Sequence, residues 1–153
     1  MAQEENLEEK GIDKKKKEEI REDFKFLEKD KRVLSILIFG SRAKRYTHER
    51  SDVDVCIVAP NQDTEGIQNI LMKVFRNLDT EKKSYDVHIF EELPLYMKIS
   101  VIKNHEIVHS RDKYEMYEYL YRYRKIWRDQ EKRNTMTRKE LKKAISQSYS
   151  KTT

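Results

Sequence analysis

The sequence predicts an α/β (α+β) domain in which a small mixed β-sheet packs against helices and a long helix closes the chain. Three observations predict it. Short apolar runs at 33–39, 53–59 and 85–90 have the length of strands, and the first two are rich in β-branched residues. An amphipathic helical pattern stands between the second run and the third, the order of a strand–helix–strand unit. After Asp112, apolar residues recur at spacings of three and four over several turns.

Composition sets the frame for those elements. At 153 residues the chain suits one compact domain. Only 37% of residues are hydrophobic and 40% are charged, so a core forms only because the apolar residues are concentrated in a few segments. The net charge of +5 suits a phosphate-bearing ligand without demanding one. Cys56 is the single cysteine, which leaves no intramolecular disulfide and no thiolate metal cluster and suits a reducing compartment. The start of the chain is acidic, unlike a signal peptide, and no apolar run approaches the ~20 residues that span a bilayer. A cytoplasmic protein with no membrane contact is expected.

The elements follow in order. Residues 1–12 read as a polar tail. From Asp13, the recurrence of Ile20, Phe24 and Leu27 predicts a helix over 13–30. Val33 to Phe39 predicts a strand buried on both faces, stopped by Gly40. From Asp52, alternation sends Asp52, Asp54, Cys56 and Val58 to one side and Val53, Val55, Ile57 and Ala59 to the other, until Pro60-Asn61 ends the strand. Thr64 and Glu65 open a helix whose stripe is Ile67, Ile70, Leu71, Val74, Phe75 and Leu78, closed by Asp79-Thr80. Tyr85 to Phe90 alternates again, with Asp86, His88 and Phe90 on one face. A short helix over 95–102 and a short edge strand over 106–109 come next. The long helix then carries Met116, Tyr119, Leu120, Tyr123, Ile126 and Trp127. A capping box, Thr137-Arg138-Lys139-Glu140, predicts a last short helix with Leu141 and Ile145 that frays beyond. The expected division is therefore a tail at 1–12, a domain at 13–133 and a short helix or frayed tail at 134–153.

The chemistry concentrates in Gly40-Ser41-Arg42-Ala43 and, after a basic loop, Ser51-Asp52-Val53-Asp54. Carboxylates two apart on a strand share a face about 7 Å apart along the backbone and can bracket hard cations. Two like charges so placed are unfavourable without a compensating cation. Gly40 permits a turn and a close backbone approach, and Ser41 adds a hydroxyl, which together suggest a phosphate cradle at a helix N-terminus. Asp86 stands on the next predicted strand, so three carboxylates can converge.

These residues resemble the signature of the DNA polymerase beta nucleotidyltransferase superfamily, with its minimal nucleotidyltransferase branch the nearest pattern. The likeness runs over roughly residues 20–110. It implies a nucleotidyltransferase fold and a nucleotidyltransferase activity in which Asp52, Asp54 and Asp86 are catalytic and bind two Mg²⁺ ions. It further implies that Gly40 and Ser41 hold the triphosphate of ATP or another NTP, and that Asp86 accepts the nucleophile's proton. Arg42, Lys44 and Arg45 either contact phosphates beside the site or form a solvated basic turn, and Arg42, Lys44 and Ser51 are counted with Gly40 and Ser41 as nucleotide-binding candidates. Where such proteins often carry glycine and then an acidic residue after the alanine, this chain has Arg45 and Tyr46.

The leading reading is transfer of a nucleotide, AMP first among them, to a hydroxyl, since proteins of this appearance commonly act as antitoxins that AMPylate a tyrosine on a partner HEPN ribonuclease toxin. The chain is too small for the fingers and thumb of a templated polymerase, so direct nucleic-acid binding is not expected. The second reading is a nucleotide-binding or toxin-neutralising module of the same fold. A third is modification of a small molecule, for which Glu91 and Glu92 are weak acceptor-site candidates. His88 shares the face of Asp86 and could touch substrate or orient a carboxylate, whereas an ordinary satisfied strand histidine is the commoner case. His48, His105 and His109 lack the spacing of a zinc site. The tyrosines and arginines of the long helix, Tyr114 to Arg128, either cover the sheet or leave a face able to stack on nucleic-acid bases or to dock a partner or a second copy.

Overall fold

A computed structural model describes residues 14–40 and 52–151. Helix α1 (Lys14–Asp23) leads through a single 3₁₀ turn (Lys25–Leu27) to strand β1 (Ser35–Phe39). Strand β2 (Val53–Val58), helix α2 (Thr64–Asn77), the short helix α3 (Thr80–Lys83) and strand β3 (Tyr85–Ile89) come next. A 3₁₀ turn (Phe90–Glu92), helix α4 (Leu95–Lys103), strand β4 (His105–Ser110) and helix α5 (Lys113–Lys151) complete the order. The four strands form one mixed sheet in the order β3-β2-β1-β4. β1 runs antiparallel to both β2 and β4, whereas β2 and β3 are parallel because α2 and α3 carry the chain back between them.

Strand alternation divides the core into two layers. Val53, Val55, Ile57 and Ala59 point into one, with Ile20, Phe24 and Leu27 before β1 and Ile67, Ile70 and Val74 of α2. Cys56 and Val58 point into the other, with Phe90, Val101 of α4 and Met116 and Leu120 of α5. The sheet is therefore covered on both faces, which explains why β1 is buried along its whole length.

Several sequence expectations shift in detail. The first helix is α-helical only to Asp23 and then tightens into the 3₁₀ turn. The cap of α2 is Asp63, whose side chain accepts from the Gly66 N–H, and Thr64 is the first helical residue. Asp79 does more than close α2: its side chain accepts from the Lys82 N–H and opens α3. Phe75 stands 58% exposed rather than in the core, because it lies about 100° around the helix from Val74. The capping box at Thr137 starts no new helix, since α5 continues unbroken to Lys151. No glycine or proline falls between Lys113 and Lys151 to stop it. Ile126, Leu141 and Ile145 are exposed on this helix beyond the sheet, and Trp127 is half-buried.

One ionic knot fixes the entry to β1. The Asp30 carboxylate accepts from the backbone N–H and Nε of Arg32 at 3.0 Å each, from its Nη2 at 2.7 Å, and from Lys73 Nζ on α2 at 3.3 Å. The Arg32 side chain, aided by its N–H and by Lys73, holds the Asp30 carboxyl well below its ordinary 3.8, against the opposing effect of burial. A depressed carboxyl pKa stabilises the fold fully above the unfolded value and loses that contribution as pH falls toward the folded one. Asp30→Asn is therefore expected to cost about 1–3 kcal/mol at pH 7 and to flatten the loss of stability below pH ~4. Urea melts at stepped pH measure this, and an unchanged acid limb in the variant would remove the assignment.

Candidate active site

The site forms where β2 and β3 run side by side. Their parallel register sets Asp54 opposite Asp86 and Cys56 opposite His88, so one sheet face carries two carboxylates and an imidazole. His88 Nε2 lies 3.1 Å from Asp86 Oδ2 and 3.5 Å from Asp54 Oδ1. One ligand atom from each of the three falls within 4.8 Å of the others. The Phe39 ring, 5.4 Å from the imidazole at an interplanar angle of 67°, fixes its orientation from β1. The Asp54 carboxylate beside it raises the His88 pKa most, Asp86 adds to this, and partial burial opposes both.

Gly40 completes the wall on the β1 side. Its φ of +78° is a left-handed conformation, and a Cβ built there would collide with Oδ2 of Asp54. The Asp54 carboxylate thus rests against the bare Cα of Gly40. Position 40 needs glycine for its backbone and for the space it leaves the acid.

Of the residues singled out from sequence, Asp54 and Asp86 come together. Asp52 is exposed, precedes the first residue of β2, and lies outside the group of three, because the strand geometry that fixes Asp54 starts at Val53. Ser41, Arg42, Lys44 and Ser51 lie outside the described residues, as do Arg45 and Tyr46. His88, which alternation puts on the face of Asp86 two residues later, lies 3.1 Å from Asp86 Oδ2 and 3.5 Å from Asp54 Oδ1. Glu91 is occupied within the fold, where Oε1 accepts from the Ala59 N–H at 2.9 Å and Oε2 from the Tyr119 hydroxyl at 2.6 Å. It anchors α5 to the end of β2.

The donor set fits a divalent cation. Two carboxylates held in register face one another, half-open to solvent, with no lysine or arginine paired to either among the described residues.

A family described as polymerase beta nucleotidyltransferase matches residues 22–114, the stretch from the end of α1 to the start of α5. The chain belongs to this nucleotidyltransferase family. Among particular relatives, it is 42% identical over 102 residues to a Methanocaldococcus jannaschii protein provisionally named a protein adenylyltransferase, covering 67% of this chain and 75% of that one. In fold it resembles a chain from the complex of tri-AMPylated HEPN toxin with MNT antitoxin of Shewanella oneidensis. The TM-score is 0.56 at 12% identity, over 82% of this chain and 98% of that one. A chain of the MntA-HepT toxin–antitoxin complex matches with a TM-score of 0.53 at 11% identity, over 82% and 95%. No helix among the described residues is long and apolar enough to cross a membrane.

Proposed function

We propose that the protein is a Mg²⁺-dependent adenylyltransferase that moves AMP from ATP to a hydroxyl, the acceptor being a tyrosine of a HEPN-type toxin partner. The observation that carries this reading is the meeting of Asp54 and Asp86 across β2 and β3, against Gly40. The family supports the reaction type, and the provisional name of the archaeal relative supports a protein acceptor. The transferase unit is taken as residues 13–133, with the rest of α5 as an arm beyond it.

In this reading, Asp52 and Asp54 hold the cations and Asp86 completes the set. Bound there, two Mg²⁺ ions supply Lewis-acid stabilisation of the charge that develops on the α-phosphoryl oxygens. Gly40 and Ser41 present backbone and hydroxyl donors to the triphosphate, and Arg42, Lys44 and Ser51 contact its outer oxygens. Asp86, more exposed than Asp54, takes the proton of the incoming hydroxyl. The acceptor oxygen bonds the α-phosphorus, the bond from that phosphorus to the bridging oxygen breaks, and pyrophosphate leaves. The exposed Tyr114, Tyr117 and Tyr121 of α5 offer surface to the toxin or to a second copy.

The test is incubation with α-labelled ATP, Mg²⁺ and the product of the adjacent gene as candidate toxin, comparing wild type with Asp52→Asn. Label on a toxin tyrosine is expected with the wild type, falling by ~10²-fold or more in the variant. A toxin that is bound and neutralised but never labelled would instead favour a binding module, the reading that Arg45 and Tyr46 keep open.

A further inference from the structure

We infer that His88 is a nitrogen ligand of the cation site, so that the site is a two-carboxylate, one-imidazole centre selecting a divalent transition ion such as Mn²⁺ over Mg²⁺. The inference rests on the metal-dependent reading above and adds to it a ligand that raises the site's affinity for Mn²⁺ above that for Mg²⁺, the ion of the proposed reaction. Its basis is geometric. Two ligand atoms each about 2.1 Å from one ion stand about 3.0 Å apart at a right angle and about 3.4 Å apart at a tetrahedral angle. Nε2 of His88 lies 3.1 Å from the Asp86 oxygen and 3.5 Å from the Asp54 oxygen, separations compatible with a shared ion, and one ligand atom from each of the three lies within 4.8 Å of the others.

The placement is rigid as well as close. Asp86 and His88 are two residues apart on β3 and project from one face, Asp54 is in register with Asp86, and the Phe39 ring packs edge-on against the imidazole. Such support on strands is what a metal ligand needs, whereas a loop histidine would swing. Cys56, opposite His88 in the register, is fully buried and stays outside the group, so no thiolate competes for a softer ion. The donor set is therefore two hard oxygens and one imidazole nitrogen. Imidazole adds little for Mg²⁺, which keeps oxygen ligands and its own waters, and favours later divalent ions.

The experiment is Mn²⁺ binding to the full chain at one fixed pH, followed by calorimetry and by pulsed electron paramagnetic resonance. The expected spectrum shows ¹⁴N coupling to bound Mn²⁺ that changes to the ¹⁵N pattern when the protein is made with ¹⁵N-histidine. His88→Gln is expected to abolish the coupling and weaken Mn²⁺ by roughly tenfold or more, while Mg²⁺ affinity moves by less than about twofold. The isotope exchange needs no variant, so a misfolded His88→Gln protein would not leave the matter open. Mn²⁺ binding that depends on Asp54 but shows no histidine nitrogen coupling overturns the inference and leaves the metal-dependent reading standing. Wild-type protein that binds no divalent ion, or binds it equally well as Asp54→Asn, overturns both.

Discussion

Gly40→Ala is expected to remove nucleotide transfer almost completely while leaving a folded, somewhat less stable protein. Two effects add at this position. With φ at +78°, an L-residue costs about 1–2 kcal/mol more than glycine. The new methyl would also collide with the Asp54 carboxylate oxygen and stand 3.1 Å from its Cγ, so that side chain must move aside. Backbone strain alone would lower the melting temperature by a few degrees without touching chemistry. The collision turns Asp54 away from Asp86 and His88, and a displacement of about 1 Å at a reacting centre costs on the order of 10²-fold in rate. Thermal melts and labelled transfer on the same preparation separate the two effects. Wild-type transfer in Gly40→Ala would show that the position of Asp54 is not critical.

Asp54→Asn is expected to lower transfer by about 10³-fold or more with little change in stability. Asparagine keeps the volume and removes the charge, leaving a neutral carbonyl oxygen that holds a cation shared with Asp86 far more weakly. Stability has two opposing contributions. The variant loses the interaction with His88 at 3.5 Å and gains relief from the facing carboxylate of Asp86. Both groups are partly exposed, so the net change stays within about 1 kcal/mol. Calorimetry of ATP with and without divalent cation reads the effect directly. Cation-dependent ATP affinity equal to wild type in a folded Asp54→Asn protein would sink the site assignment.

The fold was legible where periodicity is strong. The alternation of Val53, Val55, Ile57 and Ala59 against Cys56 and Val58 sorted these residues into the two layers they occupy. The same rule placed Asp86, His88 and Phe90 on one face. Legibility failed where local signals compete with continuation: Thr137 to Glu140 has the letters of a capping box, but a box acts only if the preceding turn leaves helical geometry, and nothing before it does so. Phe75 falls in the stripe by spacing but outside the packed face, because spacing has no sharp edge whereas packing against a sheet does.

For the site, the chain itself settled which chemical groups are available and that Asp86 and His88 share a face of their strand, because a strand's two-residue period is a local property of the backbone; Asp52, which alternation pairs with Asp54, precedes β2. The chain also required glycine after β1, since left-handed φ is closed to most residues. Only the tertiary structure decided that β2 and β3 lie parallel with Asp54 opposite Asp86, that His88 stands within 3.1–3.5 Å of both acids, and that Asp54 rests on the bare face of Gly40. Distances across strands depend on register, and register is set by how the whole sheet packs between its helices.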